Sequence, residues 1–131
     1  MRRILTTLIA FLFTAFPALA EAVEPDLDRQ VHCAVVFGIV AGEQQGGKPG
    51  SDRFPAMNEP GKAFFVATGL RLIEERKLPI EQMEPYFIAR VREVQSAIAQ
   101  SPDPARTLEA EYARCLPLFA LVAPDATPKD L

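Results

Sequence analysis

The segment Cys33–Ala41 reads CAVVFGIVA and carries no charged side chain. A run of this kind fits either a buried strand or a helix that other elements surround. Its polar ends and a length beyond that of a typical strand favour a largely buried helix from Leu27 to about Gln45. Gly46 and Gly47 then end this helix, because glycine readily adopts the left-handed conformation that follows a helix end.

A second helix is predicted to start with Asn58 as its N-cap and to run to about Lys77. Its apolar residues recur with the helical period and form the face that we expect in the core: Ala63, Val66, Ala67, Leu70 and Ile73. Between the first two helices, glycines and prolines exclude a regular element over residues 46–57 and predict a loop that is either mobile or functional.

Two more helices follow, the third over about Glu81 to Gln100 and the fourth opened by Asp103 as cap. The third helix has the apolar stripe Phe87, Val91, Val94 and Ile98, and the fourth has Leu108, Tyr112, Cys115 and Phe119. Pro117 should kink or end the fourth helix, because it removes a helical hydrogen bond. Residues 124–131 contain two prolines and no apolar pattern, so we expect a disordered tail.

Four amphipathic helices joined mostly by short turns predict an all-α fold, a small four-helix up-and-down bundle over residues 21–123. The chain has two cysteines, Cys33 and Cys115, and both lie on apolar faces. In an oxidising compartment such a pair predicts one disulfide, here between the first and last helices, which are neighbours in this topology.

The N-terminal segment predicts export. Two arginines precede an uncharged run over residues 4–16, and a proline and small residues follow, so residues 1–20 have the order of a signal peptide cleaved between Ala20 and Glu21. A retained membrane anchor is the alternative, which the short apolar run disfavours. Cleavage leaves 12 lysines and arginines against 17 acidic residues, a net charge of −5. We therefore expect a periplasmic or secreted protein that binds no nucleic acid and is not stably inserted in a membrane.

The sequence shows no catalytic, cofactor or metal-site signature. His32 is the only histidine, its neighbour Cys33 is predicted to be oxidised, and Glu43 is too far along the same helix to pair with it. We therefore expect no enzyme, no cofactor and no metal, unless a cleft joins His32 to a carboxylate of another helix. The pair Gly38 and Gly42 forms a GxxxG pattern, which predicts close approach of a neighbouring helix.

These observations favour a non-enzymatic module that binds a partner, such as another envelope protein; the oligomeric state stays open. In size, helix content and cysteine number the chain resembles small disulfide-bridged helical chaperones of the bacterial periplasm, such as the acid-stress chaperones, without a shared motif. The alternative is a carrier of a small apolar ligand in a pocket between helices. That pocket would be lined by Phe37, Phe64, Phe65, Phe87 and Tyr112, although filling of the core explains these aromatic residues better.

Overall fold

The computed structural model describes residues 24–128, and all regular structure in this part is helical. The helices are α1 (Leu27–Gln45), α2 (Asn58–Arg76), α3 (Ile80–Ala99), α4 (Pro104–Cys115) and the short α5 (Phe119–Val122). The predicted all-helical fold with four main helices is confirmed. The predicted signal segment, its cleavage site and the last three residues lie outside the described part.

Helix α1 lies at the centre of the bundle and contacts α2, α3 and α4. It begins after Asp26, whose carboxylate accepts a hydrogen bond from the Arg29 backbone N–H. Ten of its nineteen residues are buried. The Phe37 ring is fully buried against Phe64 and Phe119, with ring centroids 5.0 and 4.5 Å away. The segment that opens the sequence analysis is therefore a helix and not a strand.

The predicted disulfide between Cys33 and Cys115 is confirmed. The two Cα atoms lie 5.3 Å apart, and both side chains are buried. The bond joins the middle of α1 to the last residue of α4. Pro117 ends α4, as predicted, because the chain continues as a 3₁₀ turn over Leu116–Leu118 before α5 starts.

The face of α2 that enters the core was predicted wrongly. In the expected stripe Val66, Leu70 and Ile73 are exposed, whereas Phe64 and Thr68, which lie outside it, are buried. The helix has two apolar faces, and the one that packs on α1 carries a buried hydrogen bond, in which the Gln30 amide donates to the Thr68 hydroxyl (3.0 Å). Periodicity predicts that a face exists and does not tell which of two faces is covered.

The helix also begins differently from the prediction. Asn58 is the first helical residue of α2, and Met57 occupies the cap position without a side-chain bond. At α4 the predicted cap is present, because the Asp103 carboxylate accepts a hydrogen bond from the Arg106 backbone N–H (3.1 Å). Helix α3 begins at Ile80, one residue earlier than predicted, and runs through Pro85.

The GxxxG pair of α1 does not serve close helix packing. Gly38 and Gly42 are exposed, and a Cβ atom added at either position meets nothing within 4 Å. Close approach occurs instead on α2, where a Cβ atom at Gly61 would lie 3.6 Å from the Phe37 carbonyl oxygen of α1. A glycine pattern marks helix contact only when a neighbouring helix covers that face.

The loop between α1 and α2 is more regular than predicted. It contains a 3₁₀ turn over Ser51–Arg53, and Phe54 and Met57 are buried. One side chain of α1 organises the loop: the Gln44 amide donates to the carbonyl oxygens of Ser51, Phe54 and Pro55, and its oxygen accepts from the Met57 backbone N–H. The loop is therefore part of the packed bundle.

The described part of the C-terminal tail is also ordered on the bundle. Residues Pro124–Ala126 form a 3₁₀ turn that contacts α2, and Pro128 is buried. The expectation of a disordered tail therefore does not describe residues 124–128. Proline prevents a helix here, but packing against α2 supplies the order that local sequence patterns do not reveal.

Candidate functional site

A cleft of about 390 Å³ opens between α1, α3 and α4, and we refer to it as the His32 cleft. Its floor is apolar: Val31 and Val35 of α1 are buried there, and Val94, Ala97 and Ile98 of α3 form the adjoining part. Its rim is polar and carries His32, Glu111, Arg90 and Glu93. An apolar cavity with a few convergent polar groups is the usual form of a small-molecule site.

One wall of the His32 cleft is an imidazole–carboxylate pair. The His32 Nε2 atom of α1 lies 2.7 Å from the Glu111 Oε2 atom of α4, and the two side chains are 42% and 21% exposed. The other carboxylate oxygen accepts a hydrogen bond from Arg114. In the neutral tautomer whose Nε2–H donates to the Glu111 carboxylate, Nδ1 is the acceptor nitrogen.

The opposite wall belongs to α3. The Arg90 guanidinium donates to the Glu93 carboxylate at 3.1 Å and lies 5.8 Å from the centre of the Tyr86 ring. Interaction with the Tyr86 side chain, and to a smaller extent with Glu93, raises the pKa of Arg90. This wall therefore carries a guanidinium group that stays charged. The cleft thus has an ion pair on each side of an apolar floor.

This arrangement meets the condition that an enzyme hypothesis required, since His32 and a carboxylate from another helix share a cleft. Such a carboxylate orients the imidazole. The one hydroxyl that lines the cleft, on Thr107, donates to the Ser101 hydroxyl at 2.9 Å. The geometry therefore offers a base or a hydrogen-bonding group, with no activated hydroxyl among the lining residues.

Glu111 was not identified as a candidate site residue from the sequence. The positions of the two cysteines could have indicated that Glu111 lies near His32. Glu111 lies one helical turn before Cys115, and His32 directly precedes Cys33, so a bond between the two cysteines brings these neighbours together. The other acidic candidate, Glu43, pairs with Lys48 at the far end of α1 and does not line the cleft.

A second surface lies between α2 and α3, and we call it the α2–α3 groove. It is open and has a volume of about 600 Å³. The lining is mostly apolar: Phe65 from α2, and Ile80, Met83, Phe87, Ile88 and Val91 from α3. Of these, Phe65, Ile80 and Ile88 expose 39%, 77% and 42% of their surface.

The five aromatic residues that were predicted to line one pocket lie in two places. Phe37, Phe64 and Tyr112 pack together in the core; the Phe37 and Tyr112 ring centroids are 5.8 Å apart, and burial raises the pKa of Tyr112. Phe65 and Phe87 form a separate pair with ring centroids 4.4 Å apart in the α2–α3 groove. The first three fill the core, and the last two are the ones that border open space.

Among residues 24–128, no cluster of three or more histidine, cysteine, aspartate and glutamate side chains is placed to hold a metal ion. Within the same range, no helix has the length and apolar character that crossing a membrane needs.

Comparison with known proteins adds no relative to this description: no family model, no curated protein and no solved structure matches the chain.

Proposed function

We propose that this is an exported binding protein of the cell envelope that holds a helical segment of a partner protein in the α2–α3 groove. The observation that carries the proposal is the distribution of exposed apolar side chains. Of the seven large hydrophobic residues that are exposed in the described part, six lie on α2 and α3: Phe65, Val66, Leu70, Ile73, Ile80 and Ile88. Three of these residues, Phe65, Ile80 and Ile88, line the α2–α3 groove. An exposed apolar patch of this kind is typical of an interaction surface.

The shape of the groove favours an amphipathic helix as the bound segment. Its α3 wall follows helical spacing from Ile80 to Val91, which is about 17 Å at 1.5 Å per residue. A partner helix with apolar residues at every third or fourth position can lie along such a wall. Glu84 and Arg92 also line the groove. We therefore propose that the bound helix places a basic residue near Glu84 and an acidic residue near Arg92.

Export is the second part of the proposal. The signal-like order of residues 1–20 supports it, and the buried disulfide is compatible with an oxidising compartment. We propose that the mature protein begins at Glu21, is periplasmic or secreted, and folds as an antiparallel up-and-down bundle. Its net negative charge disfavours nucleic acid as the partner.

The experiment is site-specific photocrosslinking in the intact envelope. A crosslinker at Ile88 should capture a discrete partner, and the substitution Ile80→Asp should reduce that capture at least fivefold. The matched control is Leu121→Asp, because Leu121 is also apolar and exposed but lies on α5. Equal capture from a crosslinker at Leu121, or capture that Ile80→Asp leaves unchanged, would contradict a role for the groove.

A carrier of a small apolar ligand, the alternative from the sequence, loses the core aromatic residues from its pocket, because they pack on one another. An enzyme is the second candidate, and the pair of His32 and Glu111 favours it. The enzyme hypothesis predicts that the purified protein hydrolyses a small activated ester faster than free imidazole does. His32→Ala should reduce the rate to that of free imidazole. Hydrolysis no faster than that of free imidazole would remove this candidate.

A further inference from the structure

We infer that the outer face of α2 pairs with the same face of a second copy of this chain, with the two helices antiparallel across a two-fold axis. The outer face of α2 consists of five residues: Ala63, Val66, Ala67, Leu70 and Ile73. None of the five lines the α2–α3 groove, so the inference is independent of the partner proposed for that groove.

The first step is that the outer face of α2 is apolar and uncovered. Val66, Leu70 and Ile73 are 51%, 56% and 36% exposed, although they follow the helical period of a core stripe. Val66 and Leu70 also border an open groove of about 550 Å³ between α2 and residues 122–126. A second helix can pack along this face and extend into that groove, which would remove these apolar side chains from water.

The second step is the spacing of the residues along this face. The intervals are three, four and three residues, the spacing at which two helices pack side by side, in the series Ala63, Val66, Leu70 and Ile73. The series has the same intervals in both directions, with its centre at position 68. In an antiparallel pair Val66 therefore lies opposite Leu70 of the second copy, and the small Ala63 lies opposite the larger Ile73. A two-fold dimer needs a surface that is complementary to itself in this way.

The third step is the charge at the two ends of the face. Glu59 and Lys62 lie at its N-terminal end, and Glu74 and Lys77 lie at its C-terminal end. All four are exposed, and within residues 24–128 none of them forms an ion pair.

The antiparallel register brings these charges together with opposite sign. Lys62 lies opposite Glu74 of the second copy, and Glu59 lies opposite Lys77, because both pairs are centred at position 68 like the apolar series. A parallel pair of helices would instead bring like charges together. Exposed ion pairs contribute little affinity, so the apolar side chains supply most of the binding and the charges determine its direction.

The experiment is sedimentation equilibrium of the mature protein, from about 1 µM to about 1 mM. We expect a reversible equilibrium between monomer and dimer. Leu70→Asp should weaken the dimer at least about tenfold, because it would bury a carboxylate of each copy in the apolar contact. The control is Ile88→Asp, the same kind of change at an exposed residue of the α2–α3 groove, which should leave the dimer unchanged. A protein that stays monomeric, or a dimer that Leu70→Asp does not weaken, would overturn the inference.

Exchange of charges tests the register. Lys62→Glu and Glu74→Lys should each weaken the dimer, since each places like charges opposite one another, and neither should alter folding because both side chains are exposed. An equimolar mixture of the two variants should regain the dimer as a heterodimer, in which both pairs again have opposite sign. Single variants that dimerise like the unchanged chain, or a mixture that does not regain the dimer, would contradict the antiparallel register.

A photocrosslinker at Leu70 distinguishes a second copy from another occupant. We expect it to join two copies of the chain. Capture of a different protein by a chain that stays monomeric would assign the outer face of α2 to that protein. This result would overturn the inference and leave the function proposed for the α2–α3 groove intact, since Leu70 does not line that groove.

Discussion

Helices α1 and α3 have nearly the same length and opposite roles. Ten residues of α1 are buried, but α3 buries only Phe87. Helix α1 supplies the buried valines on the floor of the His32 cleft, whereas α3 supplies part of that floor and most of the lining of the exposed α2–α3 groove. The comparison teaches that helices of nearly equal length can differ in role: α1 is surrounded by the bundle, whereas α3 leaves most of its residues at the surface.

The largest loss of stability should come from removing the disulfide that joins α1 to α4. Cys33→Ser should reduce the free energy of unfolding by about 4.5 kcal/mol, which the chain-entropy model gives for a closed loop of this size. Urea unfolding of both single variants and the double variant measures it. Because the two cysteines share one bond, the double variant should lose little more than either single one, and additive losses would contradict a shared bond.

The second largest loss of stability should come from replacing a phenylalanine with alanine, and it should differ between α1 and α3. Phe37→Ala on α1 should cost about 4 kcal/mol, since its ring contacts three other buried rings. Phe87→Ala on α3 should cost about 2 kcal/mol, because its ring packs on the exposed Phe65 and on Tyr86, and the groove beside it can relax. Equal losses in urea unfolding would remove the distinction between the helices.

A glutamine on each helix provides a finer test. Gln44→Ala on α1 leaves three carbonyl oxygens and one N–H of the 46–57 loop without their partner, so we expect a loss of about 2 kcal/mol. Amide hydrogen exchange should rise first at Phe54 and Met57. The control is Gln95→Ala on the exposed face of α3, which should change stability by less than about 0.5 kcal/mol.

The smallest effect on stability should be at Ile80, the most exposed large hydrophobic residue of α2 and α3. Ile80→Lys should change the free energy of unfolding by less than about 0.5 kcal/mol, because the side chain is 77% exposed. The same variant should still lose partner capture if the α2–α3 groove is the binding surface. A large loss of stability would show that α3 contributes to the core at this end.

Much of the fold was predictable because it depends on local patterns. The apolar segment of α1, the cap at Asp103 and the break at Pro117 each act within a few residues, and all three predictions are confirmed. The core face of α2 was not predictable in the same way. It depends on which face meets α1, and there a buried hydrogen bond from Gln30 to Thr68 accompanies the packing of Phe64 and Leu72.

The candidate sites were less accessible to sequence reasoning, since each joins residues that are far apart in the chain. His32 and Glu111 are separated by 79 residues. The disulfide brings them together, because Cys33 directly follows His32 and Cys115 lies one helical turn after Glu111. The predicted stripe of α2 looked like a core face because its period is helical, but Val66, Leu70 and Ile73 are exposed. Period alone does not distinguish a buried stripe from an exposed one.

By itself, the amino-acid sequence determined the helices, most of their ends and the pairing of its two cysteines, because backbone hydrogen bonding, capping and redox chemistry act locally or through residue identity. Only the tertiary structure decided which apolar faces are covered, that the 46–57 loop is held by Gln44, and that His32 meets Glu111 above an apolar floor. The physical reason is that packing selects among faces of equal period according to volume and hydrogen-bond partners contributed by distant parts of the chain.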